Sequence, residues 1–164
     1  MSFDETVRAH AGDLYRFAYW LARDRHQAED VVQEALLRGW RAYPALRDRT
    51  AVKAWLFSIV RNEFYRMRGG GAPRFESLDE AGHEVADERA TLFGLEMRDA
   101  IGALPAAYAE PLALQVLGGF SCAEIAALLE TTEGAVMTRL TRARQALRKL
   151  IVPAESRTRA GEKS

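Results

Sequence analysis

The stretch FSCAEIAALLETTEGAVMTRLTRARQALR, Phe120 to Arg148, decides the fold. From Glu133 to Leu150 the chain carries five basic side chains after the first residue and no further acid, within 164 residues whose formal net charge is zero. Spacings of three and four residues return to one helical face, so Val136, Leu140, Ala143 and Leu147 form an apolar stripe. Thr138, Thr141, Arg142, Gln145 and Lys149 fall on or near the opposite face. Arg139, Arg144 and Arg148 take the flanks, where long cationic arms can reach a polyanion. Taken alone, such a run also describes a solvated amphipathic helix. The residues before it favour another reading. Ser121 is a natural N-cap and Glu124, three residues on, completes a capping box. Ala123, Ile125, Ala126 and Leu129 supply small apolar packing. A short helix, the turn ETT and a longer basic helix make a helix-turn-helix, whose second helix enters a major groove.

Working outward, nearly every apolar pattern has the helical period and none alternates as a strand would. Val7, Ala11, Leu14, Ala18 and Leu21 form one stripe. Val31, Val32, Ala35, Leu36 and Trp40 form a second, opened by Glu29 and Asp30, whose charge suits a helix N-terminus. Trp55, Leu56, Ile59, Val60 and Phe64 form a third, and Pro44 separates it from the second, leaving PALRDRT as a polar loop. The segment GGGAPRFESLDEAGHEVADE has the composition of a tether. The chain therefore divides into a helical lobe over 1–68, an acidic linker over 69–92, a helix-turn-helix lobe over 93–152 whose first clear helix runs from about Pro105 to Leu117, and a disordered tail over 153–164. The fold class is all-α, with two small helical domains on a flexible linker. Neither lobe buries much surface alone, so their relative position is expected to be set by a partner.

Composition excludes several function classes. No apolar run approaches the roughly 18 residues of a membrane span. The N-terminus has neither a basic start nor an apolar core, so it does not read as a secretion signal, and a cytoplasmic protein is expected. The single cysteine, Cys122, rules out an internal disulfide framework. His10, His26 and His83 have no ligand spacing, so no metal is expected, and no phosphate-cradling glycine loop indicates a nucleotide or other cofactor. Trp20, Trp40 and Trp55 read as core or half-buried helix residues. Overall neutrality does not argue against nucleic acid, because 23 basic and 23 acidic residues are unevenly placed and the local field is what binds.

Three segments, AEDVVQEALLRGW (Ala28–Trp40), KAWLFSIVRN (Lys53–Asn62) and Phe120–Arg148, resemble in that order regions 2 and 4 of bacterial sigma-70 family factors. The match is to the small extracytoplasmic-function group, which has only those two domains. The resemblance implies a non-enzymatic subunit that directs RNA polymerase to specific promoters, in a stress or envelope response. It implies that Asp30, Gln33 and Glu34 dock on the clamp helices of the polymerase beta-prime subunit, with the beta subunit as a further contact. Leu46 and Asn62, with Arg47 and Arg66 nearby, match positions that receive a base flipped from the minus-10 element. Glu133, Met137, Thr138, Arg139, Thr141, Arg142 and Arg144 match the minus-35 reading helix. The implied partners are core RNA polymerase, promoter DNA and an anti-sigma factor, with the free protein a monomer.

Each role has a physical basis. An Asn offers both a donor and an acceptor to an exposed base edge. Arg can be bidentate to guanine and Thr can pack its methyl on thymine. Four positions depart from the family pattern: Met137 replaces a usual cation, Glu130 a turn glycine, Thr131 an aliphatic and Arg66 a frequent Asp. Two other functions compete. A sigma-like adaptor that sequesters an anti-sigma factor would carry a phosphoreceiver domain, and no such segment is present. A dimeric helix-turn-helix repressor would leave AEDVVQE unexplained.

Overall fold

The computed structural model describes residues 2–72, 102 and 104–150. Among them are six α-helices: α1 (Phe3–Ala22), α2 (Arg25–Ala42), α3 (Val52–Arg68), α4 (Ala106–Gly118), α5 (Cys122–Leu128) and α6 (Glu133–Leu150). The described residues contain no strand, and the chain is all-α. Of the linker expected over 69–92 only 69–72 are described, and the tail over 153–164 lies outside the described residues.

Local chemistry sets the helix starts. At α1, Ser2 Oγ accepts from the Glu5 amide at 3.2 Å and the Glu5 carboxylate accepts from the Ser2 amide at 3.3 Å, closing a capping box. α2 begins at Arg25, earlier than the acids at Glu29 and Asp30 suggested. Asp24 is the reason: its carboxylate accepts from the amides of His26 at 2.8 Å and Gln27 at 3.1 Å, satisfying two orphan donors of the first turn. The PALRDRT loop folds as two 3-10 turns, Tyr43–Ala45 and Arg49–Ala51.

The first lobe is a three-helix bundle in which α1, α2 and α3 all pack on one another. α1 contributes Leu14, Phe17, Ala18 and Trp20, α2 contributes Ala28, Val31 and Ala35, and α3 contributes Leu56, Phe57, Val60 and Phe64. At Gly39, α2 lies close against its neighbours: a Cβ there would stand 3.3 Å from the Phe3 ring and 3.4 Å from Leu56. Trp40, the next residue, is turned outward and 63% exposed. The expectation that it is core or half-buried fails because the buried stripe runs 28, 31, 35, 39, which leaves position 40 past its edge.

In the second lobe, α4 buries Ala107, Ala109, Leu112, Ala113 and Leu114. A helix apolar on most sides must be covered on most sides, and α4 lies between α6 and α1. It ends at Gly119, whose φ of 70° is left-handed, a conformation glycine adopts without strain. Gly118 lets Phe120 fold back, since a Cβ there would meet that ring at 2.4 Å. The Ser121–Glu124 capping box forms as read, with bonds of 3.0 and 3.2 Å.

The lobes also pack directly on each other, contrary to the expectation that only a partner fixes their positions. α1 packs on α4 and α3 packs on α5. Phe57 and Phe120 meet edge to face with centroids 4.9 Å apart. Lys53 Nζ sits 5.6 Å from the centroid of the Phe120 ring and 3.0 Å from Asp13 Oδ2. Beside them, Arg61 Nε donates to Glu110 Oε2 at 2.8 Å, and the Tyr65 hydroxyl donates to the other carboxylate oxygen. Arg61 and Glu110 are 6% and 2% exposed. Here apolar area from each lobe supplies burial that neither has alone.

Candidate nucleic-acid interface

α6 separates a buried back from an exposed front. Val136, Leu140, Ala143 and Leu147 are buried, packed toward α4 and α5. Glu133, Met137, Thr138, Thr141, Arg142 and Arg144 are exposed. The helix starts from Thr132, whose hydroxyl accepts from the Ala135 amide at 3.1 Å. Thr141 donates its hydroxyl to the Met137 carbonyl at 3.0 Å, which fixes its rotamer and leaves the methyl and oxygen lone pairs for a partner. Arg144 Nη2 donates to the Gln115 side chain at 2.8 Å, tying the flank of α6 to α4. Met137 is 55% exposed, an apolar group on an otherwise polar face.

Arg139 does not sit on the exposed flank expected of a backbone contact. It is 5% exposed, because its position follows Val136 by three residues and turns toward the buried side. In the turn before α6, Glu130 stands in place of the family's glycine and still adopts φ 56°. Its amide reaches the Ala127 carbonyl at 3.4 Å, and the Thr131 amide reaches Ala126 at 2.9 Å, a helix-ending pattern that requires the left-handed conformation.

On the first lobe, Asn62 and Arg66 are both exposed and lie one turn apart on α3. Arg66 is bound through Nη2 at 2.6 Å to Glu63, a buried carboxylate that also holds Arg38 at 2.7 Å. Leu46 is half-buried and Arg47 exposed, on the connection leading into α3. Next to them the Asp48 carboxyl is held below the usual carboxylate range by hydrogen bonds from the Thr50 hydroxyl and amide, which stiffens this connection.

Asp30, Gln33 and Glu34 are spaced three and four residues apart on α2 and point outward, with Glu34 half-buried. Two residues that sequence reading did not assign complete this face. Leu37 is 50% exposed and Trp40 63% exposed, and both continue the same helical row. An apolar pair rimmed by polar groups is a candidate protein-docking surface. The signal in the sequence was the spacing 30, 33, 37, 40. Among the described residues no group of three His, Cys, Asp or Glu is placed to hold a metal, and no helix is long and apolar enough to cross a membrane.

The chain matches Sigma-70 region 2 over residues 6–70 and Sigma-70 region 4 over residues 94–147. It is 39% identical over 147 residues to the ECF RNA polymerase sigma factor SigL of Mycobacterium tuberculosis, covering 85% of this chain and 82% of that one. It is 34% identical to SigE of Mycolicibacterium smegmatis over 96% of this chain, which spans 64% of that relative. Among solved structures it resembles the sigma factor RpoE of Bartonella quintana, crystallised with the anti-sigma factor NepR, with TM-score 0.70, 29% identity and 93% and 98% of the two chains covered. It also resembles CnrH in complex with the cytosolic domain of CnrY, with TM-score 0.65, 27% identity and 90% and 86% covered. The two-lobed helical chain is a member of the sigma-70 family, in its extracytoplasmic-function group.

Proposed function

We propose that this chain is an alternative sigma factor: it binds core RNA polymerase, recognises two separated promoter elements and holds the opened duplex. The first lobe, 1–68, docks on the polymerase through Asp30, Gln33 and Glu34, with Leu37 and Trp40 as the apolar centre. Asn62, Leu46, Arg47 and Arg66 receive the minus-10 strand. In the lobe over 93–152, Met137, Thr138, Thr141, Arg142 and Arg144 face the minus-35 duplex. The protein performs no catalysis, since the bond-making chemistry belongs to the polymerase. It works in the cytoplasm, where its DNA is, as a single copy. An anti-sigma factor is its regulatory partner, a reading supported by the sigma factor RpoE, which was crystallised with the anti-sigma factor NepR.

The single observation that carries this reading is α6, which buries one apolar stripe within a helix-turn-helix and presents Thr138, Thr141 and Arg142 outward. A well-placed Arg contributes about 1–3 kcal/mol of base discrimination. Arg142→Ala is expected to reduce transcription from minus-35-dependent promoters at least several-fold while core-polymerase binding stays unchanged. Full activity of the variant would exclude Arg142 from the reading surface.

The same reading requires the lobes to part. Elements centred about 10 and 35 base pairs upstream lie roughly 25 base pairs apart, or about 85 Å at the ~3.4 Å rise per base pair. A compact chain of this length is only about 40 Å across, from a radius of gyration of about 15 Å. The packed form cannot span both elements, so the interface between the lobes opens on the polymerase.

A further inference from the structure

The interface between the lobes holds the Glu110 carboxylate, and the two described groups that grip it, Arg61 and Tyr65, stand on α3. Arg61 Nε lies 2.8 Å from Oε2, and Tyr65 gives its hydroxyl to Oε1. The Arg61 guanidinium lies 5.2 Å from the centroid of the Tyr65 ring, a stacking that orients the cation. Arg61 precedes Asn62 and Tyr65 precedes Arg66 in the chain.

The geometry points to a phosphate-binding site on the first lobe, built from Arg61 and Tyr65, which Glu110 occupies while the lobes are closed and a backbone phosphate of the unpaired promoter strand occupies when they part. This rests on the promoter-binding reading above and deepens it. A carboxylate and a phosphodiester each present two charged oxygens on one centre, and guanidinium with hydroxyl donors suits both. Arg61 and Tyr65 belong to α3 and the anion belongs to α4, so separation removes the anion and leaves the cradle intact. A strand that places a base at Asn62 brings its phosphates to the same stretch of α3. Closure and strand capture then compete for one site, and opening exchanges one anion for another without creating a new pocket.

The test uses the holoenzyme on a promoter fragment whose minus-10 segment is left unpaired, with affinity measured across salt concentrations. Arg61→Gln is expected to weaken binding about 10- to 100-fold, the loss of a charge-assisted hydrogen bond. It is also expected to lower the slope of log affinity against log salt by about 0.7, one single-strand phosphate. Arg61→Lys keeps the charge and is expected to recover the slope with reduced affinity. Tyr65→Phe, the mildest change to the cradle, is expected to weaken binding a few-fold at unchanged slope. Glu110→Gln is expected to leave the holoenzyme slope at its wild-type value while expanding the free protein in X-ray scattering. Circular dichroism checks that each variant is folded. Wild-type slope and affinity in both Arg61→Gln and Tyr65→Phe would overturn the site and leave the Arg61–Glu110 pair as a contact that only holds the lobes closed. A wild-type holoenzyme without affinity for promoter fragments would instead overturn the promoter-binding reading, and the site with it.

Discussion

Glu130 carries a backbone conformation that its side chain disfavours, with φ at 56°. A non-glycine residue in the left-handed region costs about 1–2 kcal/mol, partly offset by the smaller entropy an L-residue loses on folding. Glu130→Gly is therefore expected to stabilise the protein by about 0.5–1 kcal/mol in chemical denaturation; a loss of stability would show that the Glu130 side chain holds the turn. Glu130 stands where the family pattern has a turn glycine, and the turn takes the left-handed conformation that glycine favours without it. Ser121 was legible because a capping box is purely local. Arg139 was not, because a residue at the edge of an apolar stripe can turn either way and only packing decides.

At the scale of single helices, α2 supports the most direct test of polymerase docking. Leu37 and Trp40 are largely exposed and do not hold the bundle together. Trp40→Ala and Leu37→Ala are expected to leave the helical signal and melting temperature near wild type while weakening core-polymerase binding. For Trp40 a loss of about 2 kcal/mol or more fits an aromatic anchor at the centre of an interface. Unchanged affinity in both variants would move docking off this face. The helices themselves could be read from the sequence because the 3.6-residue period recurs through each of them. Their starts were less legible: Asp24 begins α2, and a single acid before an uninterrupted polar turn carries little signal beside the Glu29–Asp30 pair.

At the scale of the molecule, the contact between the lobes was the least legible feature. Arg61 and Glu110 are 49 residues apart in sequence, and no periodicity reports such a pairing. The available hint was Glu110 itself, an acid inside the apolar run of α4, which requires a buried partner. Breaking that pair by removing one charge costs about 3–5 kcal/mol in comparable buried settings, so the closed form is sensitive to its chemistry. Burial, followed by the adjacent Glu110 charge, raises the Tyr65 hydroxyl above its ordinary pKa of 10.0. A group that holds its proton more tightly when packed contributes stability that is fully present below about pH 10 and is lost as pH rises above it. The free protein is therefore expected to expand in X-ray scattering from about pH 10 upward, with the onset displaced or absent in Tyr65→Phe. An onset identical in both proteins would assign the expansion to other groups.

The central claim is that these two lobes together direct a polymerase to particular start sites. The purified protein would be mixed with core RNA polymerase and genomic DNA fragments, and the run-off transcripts sequenced. Discrete start sites that share two upstream motifs about 25 base pairs apart are the predicted result. Transcripts no different from those of core polymerase alone, from a protein that is folded by circular dichroism, would contradict it.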